Sequence, residues 1–119
     1  MSPTINLIKK SYKAIEVDVT CVAAITKAYF MIKSSKTDLD AAALVTKTIT
    51  SASTASGQIT VAGPTVATLR FFIGETDLDL LKDTEYPCFI KCISNGHAYA
   101  PPEGEGKVSI SSAGILAVT

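Results

Sequence analysis

KAIEVDVTC, residues 13–21, is the stretch on which the fold class turns. Ile15, Val17, Val19 and Cys21 share one parity; Ala14, Glu16, Asp18 and Thr20 share the other. A helix would scatter these aliphatic residues around its axis and set Glu16 partly among them. An extended strand gathers the aliphatics on one face and both carboxylates on the opposite one. The stretch reads as a half-buried strand with one wet face.

The same alternation continues outward. In residues 25–50, ITKAYFMIKSSKTDLDAAALVTKTIT, Ala28, Phe30 and Ile32 oppose Tyr29, Met31 and Lys33. Apolar residues on both faces suit a central or covered strand. Thr37, followed three residues on by Asp40, has the form of a helix cap, and Ala41, Ala42 and Ala43 favour a helical turn or two. Val45, Lys47 and Ile49 then alternate with threonines as another strand.

SASTASG (51–57) reads as a loop, QITVAG as a short strand closed by Gly63-Pro64, and TVATLRFFIG as a further strand. Thr76 and Asp79 repeat the cap arrangement, which predicts a one-turn helix tucking Leu78 and Leu81 over the end of the core. YPCFIKCIS is a strand with Pro87 at its start or on an edge, because proline cannot donate to a ladder. Asn95-Gly96 marks a hairpin, and KVSIS and GILAVT close the chain as strands around Ser112-Ala113-Gly114. The expected fold is all-β: an antiparallel sandwich of about seven to nine short strands with one or two single-turn helices. Residues 1–10 are expected as an N-terminal arm or edge strand, and 11–119 as a single sandwich domain.

Composition bounds the function classes. With 119 residues, 47% of them hydrophobic, the chain can bury a core without staples and is not disordered as a whole. Eleven basic and eleven acidic residues cancel. That balance gives no electrostatic reason to bind nucleic acid or an anionic membrane, and it eases self-association. The beginning of the sequence has no apolar run of signal-peptide length, and no run is long enough to span a bilayer. A soluble protein made in the cytoplasm is the default expectation. Cys88 and Cys92, on one strand, would lie about 13 Å apart, too far for a disulfide. With Cys21 they read as buried free thiols.

No constellation marks a chemical site. The repeated TDLD, at Thr37 and at Thr76, could supply calcium ligands but lacks the glycine and distal glutamate of an EF-hand loop, and it reads as two helix caps. His97 is the sole imidazole, beside the hairpin, with no nucleophile marked near it. Glu16 and Asp18 resemble an acid/base pair but more simply line a solvated face. Gly104 and Gly106 precede no helix and form no phosphate cradle. Catalytic, cofactor and metal sites are all expected to be absent, so the chain reads as a non-enzyme.

The order of elements resembles a known family. AYFMIKSSKTDLDAAALVTKTIT, an apolar strand ending in Lys33, an Asp/Ala connection and a Thr/Lys strand, is similar to part of the Ig-like N-terminal domain of phage baseplate upper proteins. GETDLDLLKDTEYPCFIKCIS resembles that family's capping turn, with Leu80 or Leu81, before a tyrosine that opens a core strand, here Tyr86. The resemblance spans roughly residues 10–110. It implies an Ig-like sandwich and a structural or adaptor role in a phage or prophage virion, of tail or baseplate type, among protein partners and with homo-oligomerisation open. The alternative is a stand-alone carbohydrate- or protein-binding module. Its candidate partner-contact loop would comprise His97, Tyr99, Pro101, Pro102 and Glu103.

Overall fold

A computed structural model describes residues 4–21, 23–35, 42–63, 65–94, 96–101 and 105–112. Nine strands form among these residues: β1 (Thr4–Ile8), β2 (Lys13–Cys21), β3 (Lys27–Ile32), β4 (Val45–Ile49), β5 (Gly57–Val61), β6 (Thr65–Ile73), β7 (Glu85–Ser94), β8 (His97–Tyr99) and β9 (Gly106–Ser111). The alternation in the sequence explains their faces. Along β6, Ala67, Leu69, Phe71 and Ile73 are buried, while Val66 and Arg70, of the opposite parity, are exposed.

Two sheets result. The larger runs β1-β9-β7-β3-β4, with β8 also on β7; the smaller runs β2-β6-β5. This order, with β4 added to the β9-β7-β3 sheet, is that of an immunoglobulin-like sandwich. All pairings are antiparallel except β1 on β9, which is parallel from Thr4↔Lys107 to Ile8↔Ser111. The chain enters along one edge of the large sheet. Residues 4–8 are thus an edge strand, held in place by Leu7, which is buried.

The sheets meet through one core of aliphatic and aromatic side chains. Phe30 on β3 lies 5.5 Å from Phe71 on β6, ring centroid to ring centroid, with a 41° tilt. Ile15 and Val19 from the small sheet join Ile32, Ile90 and Val108 from the large one in the same cluster. Cys21, Cys88 and Cys92 are buried thiols. Pro87 occupies the third position of β7, where its carbonyl accepts from the Lys33 amide at 3.0 Å just beyond the last residue of β3. A proline there can accept but cannot return the bond, and the β3–β7 ladder stops.

Among the described residues helical backbone appears only as 3-10 geometry at Ala42. The cap expected at Thr37 and Asp40 lies outside them, as do Ala113, Gly114 and the strand expected at GILAVT. The one expected at Thr76 is replaced by tight turns. Asp77, Asp79 and Leu81 donate to the carbonyls of Gly74, Thr76 and Leu78 at 3.3, 3.3 and 3.0 Å. The capping carboxylate is Asp77, which accepts from the Gly74 amide at 2.5 Å, so the turn begins two residues earlier than the Thr76 cap implied. Leu78 and Leu81 do tuck into the core, at 2% and 6% exposure, whereas Leu80 stands at 99%.

At the foot of this segment Tyr86 Oη accepts from the Lys82 amide at 3.0 Å. Such a tyrosine, two residues before Cys88, corresponds to the tyrosine corner of immunoglobulin-like domains. It should contribute about 1 kcal/mol, so Tyr86→Phe is expected to lower the denaturant midpoint without changing the slope. Gly57 carries a stronger constraint. Its φ is +132°, and an added Cβ would collide with the Arg70 carbonyl oxygen. Gly57→Ala should cost about 2 kcal/mol and lower Tm by roughly 8 °C, measured by calorimetry.

Candidate functional site

The acidic motif at Thr76 is spent on structure. Asp77 accepts from Lys47 Nζ at 2.7 Å, and Asp79 from Lys10 Nζ at 2.7 Å. Burial opposes ionisation of Asp77, but the Lys47 hydrogen bond, the Gly74 amide and the charge of Lys47 together hold its carboxyl below the usual range. Lys9 reaches Asp83 at 3.2 Å. These pairs tie the β1–β2 connection and β4 to the turns after β6. Among the described residues no cluster of three or more His, Cys, Asp or Glu side chains could hold a metal ion. No described helix is long and apolar enough to cross a membrane.

The loop singled out from the sequence is only partly brought together. His97 is exposed on β8, opposite Ser94 in the hairpin, and Tyr99 pairs with Cys92 through the backbone. Pro101 is buried. Asn95, Pro102 and Glu103 lie outside the described residues.

Lysines scattered through the sequence converge on the outer face of the large sheet. Lys27 and Lys91 lie 5.9 and 5.7 Å from the Tyr29 ring centroid, and Lys33 lies 5.3 Å from that of Phe89. Each cation covers an aromatic ring of its own sheet. Tyr29 and Phe89 are accordingly half-buried rather than presented to a ligand.

The opposite flank is different. Strand β2 ends the small sheet, and among the described residues no strand pairs with its outer edge. The direction of its backbone groups follows from the ladder. Phe72 donates to Ser56 at 3.0 Å, so the even-numbered residues of β6 face β5 and the odd-numbered ones face β2. In the register Ile15↔Phe71 and Val17↔Leu69, the odd-numbered residues of β2 answer them. Ala14, Glu16 and Asp18 therefore aim their N–H and C=O groups at the open side.

Beneath this edge the two sheets part into a cleft of about 340 Å³. Ile5 of β1, Ile15 and Val17 of β2, Phe30 of β3, and Cys88 and Ile90 of β7 form its apolar wall, with Glu16, Asp18 and Glu105 also lining it. Val17 belongs to the inward-facing set of β2 yet is only partly buried, and so is Ile5 on the facing strand. Burial pushes the Cys88 thiol up to about 11, with the Gly106 backbone hydrogen bond only partly offsetting it. A thiol so shifted carries almost no thiolate at neutral pH and is a wall group rather than a nucleophile.

On the outer face Glu16 stands across from Arg70, and Asp18 accepts from Thr68 Oγ1 at 2.8 Å. Their signal in the sequence was the wet parity of KAIEVDVTC. What that parity could not reveal was that β2 would lie at an edge above a cleft.

A long open edge is a template for pairing, including with a second copy. The carboxylates oppose that. In an antiparallel β2–β2 pair centred on Val17, Glu16 of each copy would face Asp18 of the other. Registers centred on Glu16 or Asp18 set like residue against like. Like charges directly across a pair are destabilising. Replacing both, Glu16→Gln with Asp18→Asn, should raise the light-scattering mass above that of the parent at equal concentration. No family model, curated protein or solved structure matches this chain.

Proposed function

We propose that the chain is a non-enzymatic structural or adaptor subunit of a phage-type virion, acting in a tail- or baseplate-like assembly. The observation that carries this reading is the nine-residue edge of β2, open among the described residues above an apolar cleft. Such an edge is suited to holding a neighbouring chain by main-chain hydrogen bonds, with pockets for alternate side chains. The sequence resemblance to the Ig-like domain of baseplate upper proteins supplies the setting. The chemistry of the flank agrees with a binding role. Its thiol is held protonated at neutral pH, and its carboxylates face outward on a strand with no imidazole among the cleft-lining residues.

Particles purified from cells that express this sequence in its native genome are expected to contain the chain at a fixed copy number, read by quantitative mass spectrometry. Its absence from those particles, with the chain present in the same lysate, would overturn the reading.

A further inference from the structure

The geometry points to the β2 flank as a strand-addition site for an extended peptide segment in which lysine or arginine alternates with aliphatic residues. This rests on the adaptor reading and names the partner of the same site.

The two faces of β2 set the two halves of that description. A strand added at the outer edge would bond to the outward-aimed backbone groups of Ala14, Glu16 and Asp18. Side chains opposite Ile15 and Val17 would then enter the cleft, and those opposite Glu16 and Asp18 would stand on the outer face. The cleft wall, from Ile5 across Phe30 to Ile90, is apolar, so the entering positions are aliphatic. They would complete the burial that Val17 and Ile5 lack.

The outer positions meet carboxylates. Opposite charges across a pair are favourable and like charges are not, so these positions are cationic. The Thr68 hydroxyl already approaches Asp18 from the β6 side, and Arg70 is the cross-strand neighbour of Glu16 with its guanidinium over the Phe72 ring. A carboxylate has about four lone-pair sites, and the strand would come from the opposite side. Glu105 adds a third carboxylate at the cleft. The one described lysine on β2, Lys13 at its end, reaches away to the Asn6 carbonyl at 3.1 Å. The same charges that reject a second β2 therefore choose the partner, and attraction and rejection act at one place.

The test uses the full chain and two nine-residue peptides, one alternating valine with lysine and one alternating valine with glutamate. Binding is read by fluorescence anisotropy, and its location by NMR of the Glu16 and Asp18 amides. The lysine peptide should bind saturably, at least about tenfold tighter than the glutamate peptide, weaken with added salt, and shift those two amides. Glu16→Pro, which removes an edge donor without touching the β2–β6 ladder, should abolish binding. Glu16→Lys with Asp18→Lys, which leaves the backbone edge intact, should reverse the preference between peptides.

Equal binding of both peptides, or of neither, would overturn the assignment. So would Glu16 and Asp18 amides already protected from exchange in the free chain, because another segment of the chain would then hold the edge. Failure here with the chain still present in particles removes only the partner's chemistry. Peptide binding by a chain absent from particles removes the virion setting instead.

Discussion

The contact between Phe30 and Phe71 is the constraint from which the rest of the structure follows. Phe30 lies on an interior strand of the large sheet and Phe71 on the central strand of the small one, and their 5.5 Å approach sets how closely the two sheets stack at that point. Offset aromatic pairs of this kind contribute somewhat beyond their buried area. Once the rings are fixed, pleat alternation dictates every other inward residue on β3 and β6. Register then carries the same assignment to β7 through Phe30↔Ile90 and to β2 through Ile15↔Phe71. A slip of one residue would turn a whole face outward.

That constraint does not close the flank of β2: Phe30 and Ile15, the cross-strand partner of Phe71, themselves form part of the cleft wall. On the β4–β5 side the sheets are held together, since the Thr50 carbonyl accepts from Ile59 at 2.8 Å and Lys47 reaches Asp77. On the β1–β2 side the described residues supply no such tie along the middle of β2, and the cleft opens there. Twist contributes as well: two twisted sheets stacked at their centres diverge towards their corners. The flank is the geometric remainder of a three-stranded sheet laid on a wider one. The sequence does not fill that corner with large side chains: Ile5 and Val17, which face it, are medium-sized aliphatics.

How much of this was legible in the chain depends on the range of the interaction involved. Parity is a local property, and it placed Lys13–Cys21 as a strand and assigned its two faces correctly. Proline chemistry likewise placed Pro87 near the start of β7. The TDLD motif at Thr76 has the spacing of a helix cap, and spacing alone cannot tell a cap from a chain of turns. The deciding partner was Lys47, nearly thirty residues away, whose ammonium engages Asp77 and not Asp79. Strand order is longer-ranged still. Nothing in KAIEVDVTC says that β6 will lie on one side of it and open space on the other. For the same reason Glu16 and Asp18 could be recognised as solvated while their position at an edge went unseen.

Net charge shows the same loss of information in another form. The totals cancel, but folding sorts them. Lys27, Lys33, Lys91 and Lys107 come to the outer side of the large sheet, whereas Glu16, Asp18 and Glu105 gather at the flank of β2. A sum of zero described neither surface. The two groups also differ in what they do locally. The lysines at 27, 33 and 91 lie over Tyr29 and Phe89 and make that sheet face self-covering. The carboxylates sit beside apolar groups they are too short and too polar to cover, so the Ile5–Val17 cleft stays accessible. A basic stem can shield a hydrophobic surface and an acidic one of two or three carbons cannot. The choice of charge at each surface therefore decides which of the two is closed by its own side chains and which is left for another chain.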